Sequence, residues 1–178
     1  MRQLAAQLAA CFVVSIGAAG CAGEPAVEYR PTSTVREVMN SVVDPNSDAL
    51  WDSVEIVATI EGTVHKMPRT DEEWAVLRRS AVTLIEAGNL LLIPGRLVAR
   101  PGEQAGDPRS DLNPEEIETK RRQAPAAWAL RAHRLQDAAK ESLAAIDAKD
   151  VTALMNAGET LDAACESCHR DYWYRTAP

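Results

Sequence analysis

The chain has 178 residues, the length of one domain, with 46% apolar and 25% charged residues, a balance typical of a packed soluble protein. Aromatics are only 4% while alanine is abundant, which favours close-packed helices over sheet. The 19 basic and 26 acidic side chains give a net charge of −7, which excludes a general nucleic-acid binder, because that needs a basic surface to displace counterions.

Residues 1–20, MRQLAAQLAACFVVSIGAAG, have the order of a bacterial export signal: Arg2, an apolar stretch without acids, then small residues. Ala18-Ala19-Gly20-Cys21 resembles a lipobox, with Ala18 where a large aliphatic is usual. The expected mature chain therefore begins at Cys21, carrying lipid on that thiol. Ala22 rather than Asp after it directs the anchored form to the outer membrane. Two alternatives stay open: simple cleavage to a soluble periplasmic form, and an N-terminal core helix. No apolar run reaches the ~18–20 residues of a lasting transmembrane helix, so lipid is the expected membrane link. Without residues 1–20 the chain loses Arg2 and no acid, leaving a net charge of −8. Cys11 leaves with the signal, and Cys165 and Cys168 remain for the folded domain.

Residues 21–32 read as a Pro-containing flexible tether, and 33–178 as the domain. From Ser33, Val35, Val38, Met39, Val42 and Val43 share a helical face. Asp44-Pro45 kinks or restarts that helix, and Leu50, Trp51, Val54 and Val57 continue it. The stretch 55–68 is β-branched, holds Gly62 and ends at Pro68; helix end, loop and short hairpin all fit. Thr70 and Glu73 form a capping box before a stripe of Trp74, Leu77, Ala81, Leu84, Gly88 and Leu91. Residues 94–112 hold three prolines, three glycines and no periodicity, which predicts a long surface loop. Asn113-Pro114 starts another helix, which Pro125 interrupts; Trp128, Ala132, Leu135, Ala139, Leu143 and Ile146 form the stripe beyond it. Asp150 caps the last helix, with Val151, Leu154, Gly158, Leu161, Cys165 and Cys168 on one side. The expected fold class is all-α, an antiparallel four-helix bundle.

The last helix carries Cys165-Glu166-Ser167-Cys168-His169, the C-x-x-C-H attachment signature of c-type haem. Two thiols one helical turn apart can each form a thioether to a haem vinyl group. His169 then offers its imidazole to the iron. Zinc wants four ligands and a redox C-x-x-C wants a βαβ setting, so both fit less well. A disulfide across two intervening residues is strained. One covalent haem c is therefore the expected cofactor, held by Cys165 and Cys168 with His169 as axial ligand.

This motif on the last helix of a bundle resembles the cytochrome c′ family and its low-spin, methionine-ligated relatives. The resemblance spans roughly residues 33–176 and is sharpest at CESCHRDY, matching C-x-x-C-H-x-x-Y. Two departures mark a divergent branch: Trp173 stands where the family has Arg after that Tyr, and the 94–112 loop is long. The resemblance implies that the first helix faces the distal side of the haem. Met39 then becomes either the sixth ligand, as in the low-spin relatives, or a core residue beside an open site. It also implies an Arg36 contact to a haem propionate, against the plainer reading of an exposed helix arginine. Tyr172, with Trp173 and Tyr174, is expected to pack on the haem. Pairing of copies through the first two helices, common in the family, gives a homodimer as a further expectation. Met67, Met155 and His65 are weaker candidates for the iron, and His133 reads as a solvated helix residue. Lys120, Arg121, Arg122, Arg131 and Arg134 form an acid-free run, a solvated face or a docking patch for an acidic redox partner.

No triad, paired acid and base or phosphate loop appears, so no enzyme is expected. Single-electron transfer, exchanged with a periplasmic redox partner protein, leads. Binding of NO or CO at a five-coordinate iron is the alternative, followed by a structural lipoprotein with a vestigial haem.

Overall fold

The structure, a computed structural model, describes residues 28–175. The expected export signal, Cys21 and most of the expected tether lie outside the described residues. The described chain is mostly helical with one small hairpin, in the order α1 (Val35–Val38), a π-turn (Met39–Val43), α2 (Asp44–Trp51), β1 (Glu55–Thr59), β2 (Gly62–Lys66), α3 (Asp71–Leu92), α4 (Pro114–Gln123), α5 (Pro125–Asp147) and α6 (Val151–Tyr172). No described helix is long and apolar enough to cross a membrane.

Local chemistry sets the helix starts. Thr34 with Glu37, Thr70 with Glu73 and Asn113 with Glu116 each form a reciprocal capping box. Asp150 caps α6 by accepting from the Ala153 amide at 2.9 Å. Pro125 separates α4 from α5, because it lacks the N–H that a continuous helix needs.

At Asp44-Pro45 the helix neither breaks nor restarts: α1 runs through the π-turn into α2 with helical dihedrals at Val38, Asp44 and Asp52. Pro45 cannot donate to the Ser41 carbonyl, and its ring would crowd that oxygen in an α-turn. The wider turn accommodates it: the Asp44 amide donates to Met39 O, and Asn46 Nδ2 donates to Val42 O at 2.8 Å. One extra residue is absorbed, so the buried positions step from Val38 to Val43, then to Ser47 and Leu50.

The segment 55–68 is a hairpin, one of the three expected options, with Glu55 opposite Lys66 and Thr59 opposite Gly62. Gly62 at φ 136° takes a conformation that side chains avoid. Every strand residue of the hairpin is exposed.

α3 and α5 run antiparallel. Arg78 Nε meets Asp147 at 2.8 Å, Gln136 Nε2 donates to Ile85 O at 3.0 Å, and the buried Trp128 Nε1 donates to Leu91 O at 3.0 Å. α6 packs on α5, and α2 packs on α3 and α6. Trp51 Nε1 donates to Gly158 O at 3.1 Å, joining α2 to α6. The core seam is Leu84, Ala81, Ala139, Leu154 and Leu161, all almost wholly buried. The predicted stripes of α3 and α5 face it, with Leu143 only partly buried.

The stretch 94–112 lacks helix and strand as expected, but it does not simply run over the surface. Arg96 and Val98 are buried. The Val35 and Arg36 amides donate to Leu97 O and Val98 O at 2.8 and 3.0 Å, so the loop satisfies the free N–H groups at the start of α1. Arg96 donates to Leu90 O at 2.8 Å and to Ser33 O, tying the loop to α3 and to the chain before α1. An apolar or anchored residue every few positions is too sparse a signal to read as packing.

Candidate functional site

Two cavities meet where α1, the π-turn, α5 and α6 come together. The outer one, ≈ 260 Å³, is walled by Val35, Met39, Val98, Leu112, Trp128 and Tyr172, with Arg36 and Asp111 as its charged members. The inner one, ≈ 190 Å³, lies between α2, α5 and α6 and includes Val43, Ser47, Trp51 and Leu135. Both are lined by Met39, Trp128, Cys168 and His169, and Cys165 lines the inner one. Taken together they fall in the size range of small-molecule and cofactor sites, about 300–1,000 Å³.

Helical spacing puts both thiols and the imidazole on this side of α6. Cys165 and Cys168 are free and partly buried. Burial, the largest cause, pushes the Cys165 thiol up to about 11, with Asp162, Asp44 and Glu166 adding to it. It pushes Cys168 up to about 12, partly offset by Arg131. Both therefore stay protonated at neutral pH. His169 is 25% exposed, with Trp173 and Tyr174 edge-on at ring distances of 5.0 and 6.0 Å. Tyr172 is buried edge-on against Trp128 at 5.0 Å.

Met39 opens the π-turn and is half-buried, with Val35 and Val43 beside it. Arg36 lines the outer cavity, but its guanidinium is already engaged by the loop: it donates to Gln104 O at 2.8 Å and lies 4.0 Å from Glu103. Across from it, the Asp111 carboxyl is held below its usual range, first by a hydrogen bond from the Trp173 indole, then by the Asp107 amide and Ser110 hydroxyl. At the inner mouth the Asp44 carboxyl is raised, chiefly by burial and then by Asp48, with His169 opposing.

The loop residues Val98, Ala105, Gly106 and Leu112 complete the outer wall, a role the sequence did not reveal. The C-terminal residues fasten that wall. The Leu112 amide donates to Trp173 O at 2.7 Å, the Arg175 amide to Ser110 O at 2.6 Å, and Arg175 pairs with Glu116 at 2.9 Å.

The weaker candidates are elsewhere. His65 and Met67 are on or next to the exposed hairpin, His133 is exposed on α5, and Met155 faces a separate recess beside Trp51. The basic run is largely consumed within the molecule. Lys120 donates to Asp171 O, Arg121 and Arg122 pair with Glu118 at 2.7 Å each, and Arg131 pairs with Asp171 at 2.5 Å. Arg134 makes no ion pair among the described residues.

Three comparisons, with protein-family models, curated proteins and solved structures, each find no match to the chain. Its chemistry is therefore read from its own residues. Those residues fit a largely apolar cofactor bound through sulfur and nitrogen. The walls are mainly apolar, with Asp44, Arg131, Asp162 and Glu166 as the charged members of the inner one; two thiols and an imidazole line them, and a thioether lies on the same cavities. Ser47 Oγ, in the inner wall and 2% exposed, has no hydrogen-bond partner, as expected where a polar atom of a bound molecule or water belongs. Among the described residues, no three His, Cys, Asp or Glu side chains are grouped to hold an ion by themselves.

Proposed function

We propose that the chain is a c-type haem protein of the bacterial cell envelope that passes single electrons, a four-helix-bundle cytochrome resembling the cytochrome c′ family. The observation that carries this reading is the meeting of Cys168, His169 and Met39 on one pair of apolar cavities, with Cys165 a helical turn away. Cys165 and Cys168 would hold the group through thioethers, each formed by addition of S–H across a vinyl bond, sulfur to one carbon and hydrogen to the other, which needs no oxidant.

Bound haem supplies a one-electron ferric/ferrous couple. His169 on α6 would hold the iron, and Met39 of the π-turn, which lines the same cavities, would be its second protein ligand. Trp128, Tyr172 and Val98 exclude water, which keeps reorganisation small. Arg36 would supply the positive charge for a propionate, giving up its bond to Gln104 O to do so. The signal-like pattern of residues 1–20 and the lipobox-like Ala18–Cys21 support a place in the periplasm, with a lipid anchor to the outer membrane and a redox partner protein there to exchange its electrons.

Ser47 Oγ favours a second reading, a five-coordinate iron that binds NO or CO, because it offers a hydrogen bond inside the cavity. Met39 decides between them. The wild type should keep its colour through acid–acetone extraction, and Cys165→Ala/Cys168→Ala should lose it. If the wild type also loses its colour, the haem is not covalent and the assignment fails. The reduced wild type should be low-spin and take up CO slowly, whereas Met39→Ala should be high-spin and take it up fast. Equal uptake by both makes Met39 a packing residue and puts gas binding first.

A further inference from the structure

Glu166 stands three residues before His169 on α6, and its Oε1 lies 3.6 Å from His169 Nδ1. The Tyr174 hydroxyl donates to the same oxygen at 3.0 Å. The chain turns back after α6 to bring it there: the Trp173 and Tyr174 amides both donate to His169 O, at 2.7 and 2.9 Å, and Tyr174 bridges to Asp111. Glu166 is the one carboxylate within ion-pair distance of this imidazole among the described residues.

We propose that Glu166, oriented by Tyr174, accepts a hydrogen bond from His169 Nδ1–H and so sets how much electron density this imidazole gives to the iron. The inference rests on the reading of His169 as an iron ligand. An imidazole has two nitrogens, and Nδ1 directed at Glu166 leaves Nε2 for the metal. A ligating histidine whose other N–H is held by a carboxylate is fixed in tautomer and orientation and is a stronger donor. Stronger donation favours ferric over ferrous iron and lowers the reduction potential. Glu166 is thus a positioning residue acting through His169. At 3.6 Å the contact is an ion-pair separation that haem binding must shorten to make a full hydrogen bond. The Glu166 side chain is also 40% exposed. Both facts put its effect at the low end of the roughly 10–100-fold cost in metal affinity or activity that losing such a partner brings.

The test compares wild type, Glu166→Gln and Asp162→Asn, the last removing a carboxylate of the same inner cavity one turn earlier. A pyridine haemochrome assay on each first reports covalent haem. The 15N–1H signal of His169 Nδ1 is then recorded on each chain as isolated, and the midpoint potential on those carrying haem. Glu166→Gln should shift the ratio of reduced to oxidised protein at fixed potential by about tenfold, 59 mV upward for one electron. It should also move the Nδ1 proton out of the strongly hydrogen-bonded range. Asp162→Asn should shift the ratio less than about threefold and leave Nδ1 in place, as a more distant charge does. Equal shifts in the two variants, or an Nδ1 signal unmoved by Glu166→Gln, overturn the proposal while the haem reading stands. A wild type without covalent haem overturns the functional reading, and the role at the iron with it.

Discussion

Gly88, on the face of α3 that meets α5, tests how closely the two helices approach. A Cβ built there would lie 2.3 Å from Gln136 Cγ, 2.8 Å from its Cδ and 3.0 Å from Ala132 O. No real Cβ tolerates the first contact, and the last is backbone that moves only if α5 moves. In Gly88→Ala the Gln136 side chain must therefore leave, giving up its bonds to Ile85 O and Asn89 Oδ1, both 3.0 Å. Two hydrogen bonds at about 1 kcal/mol each and about 1 kcal/mol of overpacking oppose a helix-propensity gain of about 1 kcal/mol, a net loss of about 2 kcal/mol. Gly158 is the counterpart on α6. A Cβ there would meet Trp51 Cδ1 at 3.4 Å, an ordinary contact, so Gly158→Ala should gain about 0.5–1 kcal/mol. Urea unfolding followed by far-ultraviolet circular dichroism, with all proteins in the same haem-loading state, should show opposite signs. Melting temperatures should fall by about 4–8 °C for Gly88→Ala and rise by about 1–4 °C for Gly158→Ala. Gly88→Ala/Gln136→Ala should cost less than the sum of its single substitutions, because the second removes the obstructing side chain. A Gly88→Ala protein as stable as the wild type refutes the close approach of α3 and α5.

Arg96→Met should release the 94–112 loop from α1 and α3. Losing the bonds to Leu90 O and Ser33 O should cost about 2 kcal/mol in urea unfolding and speed tryptic cleavage within the loop. The capping carboxylates Glu37, Glu73 and Glu116 are each held below the ordinary glutamate value of 4.5, first by a backbone N–H bond, of Thr34, Arg69 and Asn113 respectively. Their contribution is present above 4.5 and is lost as pH falls through the lower folded values. A Glu37→Gln/Glu73→Gln/Glu116→Gln chain should therefore show a flatter decline of melting temperature with acid than the wild type, and an equally steep decline would deny the caps this role.

The C-x-x-C-H motif was legible because it is local. Cys165, Cys168 and His169 lie within five consecutive residues, so one helix turn presents them together whatever surrounds it. The same locality made Thr70–Glu73 and the stripe from Trp74 to Leu91 readable, since capping and amphipathic period depend only on near neighbours. The Thr34–Glu37 capping box was equally local and went unread, as did Glu166 beside His169, whose meaning depends on where Tyr174 returns.

What the sequence by itself determined is the helical period, the caps, the proline stops and the placing of two thiols and an imidazole on one helix. Each depends on groups a few bonds apart along the chain. Only the tertiary structure decided what faces that helix. The five-residue step from Val38 to Val43 follows from how Pro45 is accommodated, and a helical wheel with one fixed period cannot carry the face of Val35 and Val38 on to Val43, Ser47 and Leu50 across such a turn. The loop around Val98 became a cavity wall because its carbonyls satisfy the bare amides of α1, 62 and 62 residues apart in sequence for Leu97 with Val35 and Val98 with Arg36. Likewise Lys120 and Arg131 of the basic run were absorbed by Asp171, 51 and 40 residues on. Contacts of that kind are set by packing between distant segments, where composition and spacing carry no record of the partner.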